Sequence, residues 1–152
     1  KFPLSKIFQK LDKDTKNPGK KLFEKNISGM YLAKIFNLWA EELNIITSPV
    51  FTGQELSAIA HAYHNESAKR LARVVLDQSA SYIGAAIVAL YEFKDKPRNF
   101  TIIAEGGLMW DGWHYHESLM NQIEALGISS KEITIKNIKD SSIHGAIGLV
   151  LS

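Results

Sequence analysis

Residues 66 to 93, ESAKRLARVVLDQSASYIGAAIVALYEF, run without a proline and with Gly84 as their single glycine. Asn65 stands where it can cap a long helix over them. The first half of the stretch is amphipathic. From Ala80 to Leu90 it turns small and apolar, which predicts a helix buried on several sides, with Gly84, Ala85 and Ala86 admitting a close neighbour. A helix of this kind needs other layers packed around it.

The rest of the chain supplies them in alternation. PLSKIFQKLD, residues 3 to 12, reads as a short helix with Ser5 near its start, followed by the polar turn KDTKNPG. Pro18 suits the first turn of a second helix, where a missing N–H costs nothing. From there to about Leu43, Phe23, Ile27, Met30, Tyr31, Ile35, Leu38 and Trp39 recur at helical steps. Thr52 with Glu55 makes a capping box for a short helix around QELSAIAHAY. After the turn KDKPRN, FTIIAEGGLMW reads as a strand entering a Gly-Gly turn. Residues 117 to 126 form an amphipathic helix that Gly127 stops. EITIKNI alternates as a second strand, and SSIHGAIGLVLS closes the chain as a small-residue apolar helix. The order predicts an α/β fold, helix-rich with few strands. Two strands cannot make the sheet these helices need, so a partner chain or a missing N-terminal portion of the same protein is expected to supply the others.

With 152 residues the chain suits one compact core. Lysine and arginine number 18 against 16 acidic residues, in short scattered groups, so nucleic acid is not an expected partner. There is no cysteine, which excludes disulfides and thiolate metal sites and points to a reducing, cytoplasmic setting. No run of unbroken apolar residues reaches the roughly 18 to 20 that a membrane span needs, so no membrane association is expected.

Several constellations could carry chemistry. Glu105-Gly106-Gly107 follows a strand and Gly145-Ala146 opens a helix, and glycine turns at strand ends are where phosphates approach backbone N–H groups. His61 with His64, and Asp111, His114, His116 and Glu117, have spacings open to metal ligation, against the plainer reading of surface histidines beside aromatic rings. No third ligand converges, and no metal is expected. The absence of G-x-S-x-G speaks against a hydrolase. Glu24 is on local grounds either a solvated carboxylate near the positive end of a helix or a ligand group.

The stretch NPGKKLFEKNISGMYLAKIF, residues 17 to 36, resembles the hexokinase-family segment with an N-P-G start and then F-E-K-x-[IV]-S-G-M-Y-L-G-E-[IL]. Weaker likenesses follow in order along the chain: FPLSKIFQKLDKDTK to the family's lead-in, FTGQELSAIAHAY to the segment leading toward the nucleotide, RLARVVLDQSASYIGAAIVAL to its long helix, IIAEGGLMW to its V-D-G-S strand and turn, and IKDSSIHGAIGLV to its G-S-G-x-G close.

The resemblance implies the C-terminal portion of a ribonuclease H-like (actin-like ATPase) domain, residues 1 to 152 being the C-terminal part of a hexokinase large domain. It implies transfer of a phosphoryl group from ATP with Mg2+ to the 6-hydroxyl of glucose or a related hexose, as in glycolysis. Glu24 inherits a sugar-binding role, which suits an acceptor-only carboxylate. Ser28, Gly29, Met30, Ser57, Ser142 and Gly145 inherit positions around the nucleotide, with Gly29 allowing the ligand a close approach.

There are departures. Glu105 and Gly107 stand where the family usually has aspartate and serine, Ala33-Lys34 replace Gly-Glu, and Ile143 takes the place of a glycine beside the adenosine pocket. The D-x-G-G-T-[NS] phosphate loop, the N-D-T segment with the catalytic aspartate, G-T-G-x-N and N-x-E-W are not in these residues, and neither is the small domain. No catalytic residue is therefore assigned, and these residues alone are not expected to phosphorylate anything. The alternative is a hexokinase-like sugar- or nucleotide-binding or regulatory module without catalysis. A metal-dependent protein using His114 and His116 is a weaker option.

Overall fold

The computed structural model describes residues 5–61 and 64–138. The expected closing helix, with Ser142 and Gly145, lies outside the described residues. The elements are α1 (Lys6–Lys13), α2 (Leu22–Ile27), α3 (Gly29–Glu42), α4 (Gly53–His61), α5 (Glu66–Phe93), β1 (Phe100–Ile103), α6 (Gly107–Asp111), α7 (Tyr115–Ala125) and β2 (Ile133–Lys136).

Helix starts follow the chemistry of their caps. Ser5 Oγ accepts from the Phe8 N–H at 3.1 Å, and Asn65 Oδ1 accepts from the Ala68 N–H at 2.9 Å. The capping box before α4 forms in both directions: Thr52 Oγ1 accepts from the Glu55 N–H, and Glu55 Oε2 accepts from the N–H groups of Phe51 and Thr52. Each satisfies backbone donors that a helix start would leave exposed.

α5 is the central element, packed by α3, α4 and α7. Ala72, Leu76, Ala80, Gly84 and Val88 are buried along it. Gly84 admits α7 so closely that an added Cβ would lie 3.1 Å from the Gln122 side chain and the Leu119 carbonyl. Ser79 Oγ and Tyr115 Oη, both buried, share a hydrogen bond of 2.6 Å, and Ser118 Oγ donates to Asp77 Oδ1 at 2.6 Å. β1 and β2 pair in parallel, Phe100 opposite Ile133 through Ile103 opposite Lys136, with α6 and α7 in the crossover. Among the described residues this sheet has two strands.

Four expectations are corrected. The stretch from Pro18 to Leu43 is two helices, broken at Ser28, whose ψ of 129° is extended. Pro18 precedes them in a turn closed by the Lys20 N–H on the Asn17 carbonyl, with Gly19 at φ +75°. Proline second and a positive-φ glycine third is the chemistry of a type II turn. The second half of α5 is covered on one side only: Ala85, Ala86, Leu90 and Phe93 are exposed. Finally, α5 does contain an 18-residue window apolar enough to span a membrane by length and composition, at mean hydropathy 1.4. Of that window, 44% is buried inside the molecule, on the face that packs against the other helices.

Candidate functional site

The break at Ser28 creates the site. The Ser28 N–H closes α2 by donating to the Glu24 carbonyl at 2.9 Å, while its own carbonyl accepts from the N–H groups of Tyr31 and Leu32 and opens α3. Its hydroxyl makes no capping bond. Glu24 sits in the first turn of α2, about half exposed, with a surface ion pair to Lys21 at 3.1 Å. Met30, next to Gly29 in the first turn of α3, is 52% exposed.

Three helix starts gather here. A Cβ on Gly29 would lie 3.2 Å from the Gly53 Cα, so the first residues of α3 and α4 touch through their backbones. Leu108 of α6 sits within 4 Å of both would-be methyls, and Gly107 lies near Gln54 of α4. Two helices, α3 and α4, thus begin at one place, where the positive ends of their dipoles favour an anion. Gly106, at φ +111°, makes the turn from β1 into α6. Glycine at this position is required by the backbone itself.

Ser57 stands one turn into α4. It is 6% exposed, and its Oγ accepts from the Trp113 N–H at 2.8 Å, tying α4 to the segment before α7. Arg73 completes the tie: its guanidinium stacks 4.6 Å from the Trp113 ring centre and donates through Nε to the Ala60 carbonyl at 3.0 Å. The histidines do not converge. The His114 imidazole contacts Glu117 and the edge of Trp113, whereas His116 stacks on Trp110. Among the described residues no three histidine or carboxylate groups gather as metal ligands.

Beneath Glu24 lies a polar cluster that sequence reasoning missed. Lys25 is buried, and its Nζ donates to Asp12 Oδ1 at 2.6 Å, Thr15 Oγ1 at 2.8 Å and the Asn17 carbonyl at 2.9 Å. Asp12 Oδ2 accepts from the Gly19 N–H at 2.8 Å. The lysine and then the Gly19 N–H hold the Asp12 carboxyl below its usual range, against the opposing effect of burial. Hydropathy gives no sign of this, since α2 buries Lys25 and Asn26 while Phe23 is 40% exposed. The available signal was the row of turn residues from Asp12 to Gly19, facing a lysine.

A model of the hexokinase family matches residues 1–67 and again 52–152. The chain belongs to the hexokinase family. Its fold agrees: a crystal structure of a hexokinase superposes with a TM-score of 0.79 at 18% identity, covering 92% of this chain and 39% of that one. The hexokinase from Schistosoma mansoni, solved in complex with glucose, superposes at 0.72 with 17% identity, covering 88% of this chain and 38% of its own. A search by sequence among curated proteins gave no match. This hexokinase-family chain therefore spans about two fifths of the length of the structures it matches. It has the fold of the C-terminal portion of the actin-like ATPase architecture.

Proposed function

We propose that these residues are the C-terminal part of the large domain of a hexokinase that uses ATP with Mg2+ to phosphorylate glucose or a related hexose at the 6-hydroxyl. Glu24 accepts hydrogen bonds from sugar hydroxyls, and Ser28, Gly29 and Met30 line the nucleotide side. Ser142 and Gly145 belong to the same nucleotide wall in this reading; Ser57, which the resemblance puts there too, has its hydroxyl buried and taken by the Trp113 N–H and is given no direct contact with the nucleotide. The phosphate clamps and the general base come from the remainder of the intact protein.

One observation carries the proposal: a half-exposed carboxylate stands one helical turn before the point where the starts of α3 and α4 meet. A sugar held by the carboxylate and an anionic phosphate at the helix starts would lie side by side, which phosphoryl transfer requires. The helix starts suit a phosphate, and among the described residues no three histidine or carboxylate groups gather that could hold Mg2+.

The test is Glu24→Gln in the full-length protein. Glu24 is exposed and its ion pair with Lys21 is a surface one, so the variant should fold with little change in Tm. A hydrogen bond to a charged group contributes about 1.5–3 kcal/mol, so the KM for glucose should rise roughly 10- to 100-fold, or turnover should vanish. Unchanged glucose kinetics would overturn the sugar role. Binding of glucose without any turnover in the wild-type full-length protein would assign the non-catalytic reading instead.

A further inference from the structure

α2 has six residues, follows Lys21 in the left-handed region and has no side-chain cap at its start. So short a helix does not hold a fixed orientation by its own hydrogen bonds. Its lower face is held by Lys25. All three ammonium protons have acceptors, one on the last turn of α1 and two on the segment that leads into α2. The network closes on itself, because Thr15 Oγ1 also donates to the Asp12 carbonyl at 2.7 Å and Asp12 takes the Gly19 N–H.

We infer that Lys25 is a positioning residue for Glu24: its buried three-point attachment sets the rotation of α2, and so the direction in which the neighbouring carboxylate meets a hexose. The inference rests on the sugar-binding reading of Glu24. Successive helix residues lie about 100° apart around the axis, so a helix that packs on α3 and α5 and is tied down on its Lys25 side has few directions left in which to present Glu24. The contact between Glu24 and Lys21 is exposed and exchanges with water, so it cannot do this. Stability alone is a poor account of the cluster, since a buried ion pair is commonly no better for stability than apolar residues of the same size. What three directed acceptors around one ammonium supply is a fixed geometry.

The experiment measures glucose affinity by titration, and KM for glucose and for ATP, in the full-length protein carrying Lys25→Met, Thr15→Val or Glu24→Gln. Losing a hydrogen bond between the misdirected carboxylate and a sugar hydroxyl costs roughly 10- to 100-fold in affinity, so Lys25→Met should weaken glucose binding by roughly tenfold or more. Thr15→Val, which deletes one acceptor and leaves the ion pair, should weaken it by about two- to fivefold. The KM for ATP should stay within about twofold in both, a split that general loss of structure would not produce. Unchanged glucose affinity in folded Lys25→Met overturns the inference, as does a parallel rise of both KM values. If Lys25→Met does not fold, the same outcomes in Thr15→Val decide. Glu24→Gln without effect on glucose would instead remove the sugar reading itself, so the two failures are distinguishable.

Discussion

Gly29 and Gly53 meet backbone to backbone, each leaving no more than 3.1 to 3.2 Å between a methyl on itself and the Cα of the other. Neither has a positive φ, so proximity, and not conformational freedom, is what leaves little room for a side chain. This contact sets the distance between the starts of α3 and α4, and with it the shape of the proposed nucleotide side. The Gly29 of the family-like motif therefore packs against its own fold as well as bordering the proposed ligand.

Gly29→Ala and Gly53→Ala should each destabilise the protein. Overpacking costs about 1–3 kcal/mol, and the better helix preference of alanine returns up to about 1 kcal/mol. The difference leaves a loss of up to about 2 kcal/mol, read in urea unfolding. The double variant should depart from additivity, because both changes strain one contact.

The Asp12 cluster predicts an acid limb. The Asp12 carboxyl titrates lower in the folded chain than its ordinary 3.8, so its stabilising contribution is complete above about pH 4 and is lost as pH falls through the folded value. Asp12→Asn should therefore be less stable than wild type at pH 7, and the gap should narrow as pH falls from about 4 toward 2. Denaturant unfolding at both ends of that range checks it.

The Ser79–Tyr115 hydrogen bond predicts the opposite limb. Burial pushes the Tyr115 phenol up to about 12, with the Ser79 bond acting in the other direction. A folded value above the ordinary 10 means that stability is intact below about pH 10 and drains away as pH rises toward 12. Tyr115→Phe leaves the Ser79 hydroxyl buried without the phenol, a loss of about 1–3 kcal/mol at neutral pH. Its unfolding free energy should then fall less steeply than that of wild type above pH 10.

Ser57→Ala removes the acceptor for the Trp113 N–H. A loss of about 1–3 kcal/mol is expected on unfolding. Since the hydroxyl is buried and engaged, the KM for ATP in the full-length protein should stay within about twofold.

Much of this was legible locally. α5 runs over Glu66–Phe93, the limits read from Asn65 before it and the polar turn after it. The capping box before α4, the two strands and the Gly-Gly turn also stand where their residues put them. Periodicity and capping depend on side chains a few residues apart, so a linear reading recovers them.

Other features were decided by partners far along the chain. Lys25 goes inside because Asp12, Thr15 and Asn17 wait there, although nothing in α2 ranks it above Phe23 for burial. The break at Ser28 separates a helix tied down at Lys25 from one pressed against Gly53, both contacts with residues outside the two helices. The exposed side of α5 at Ala85, Ala86, Leu90 and Phe93 depends on which neighbours are present, and α7 covers only the face that carries Gly84. By itself, then, the sequence determined the long helix, the capped start of α4, the two strands and which family motif surrounds Glu24. Only the tertiary structure decided which charge is buried and that the helix breaks at Ser28, because burial of a charge is set by desolvation and by partners in segments distant along the chain.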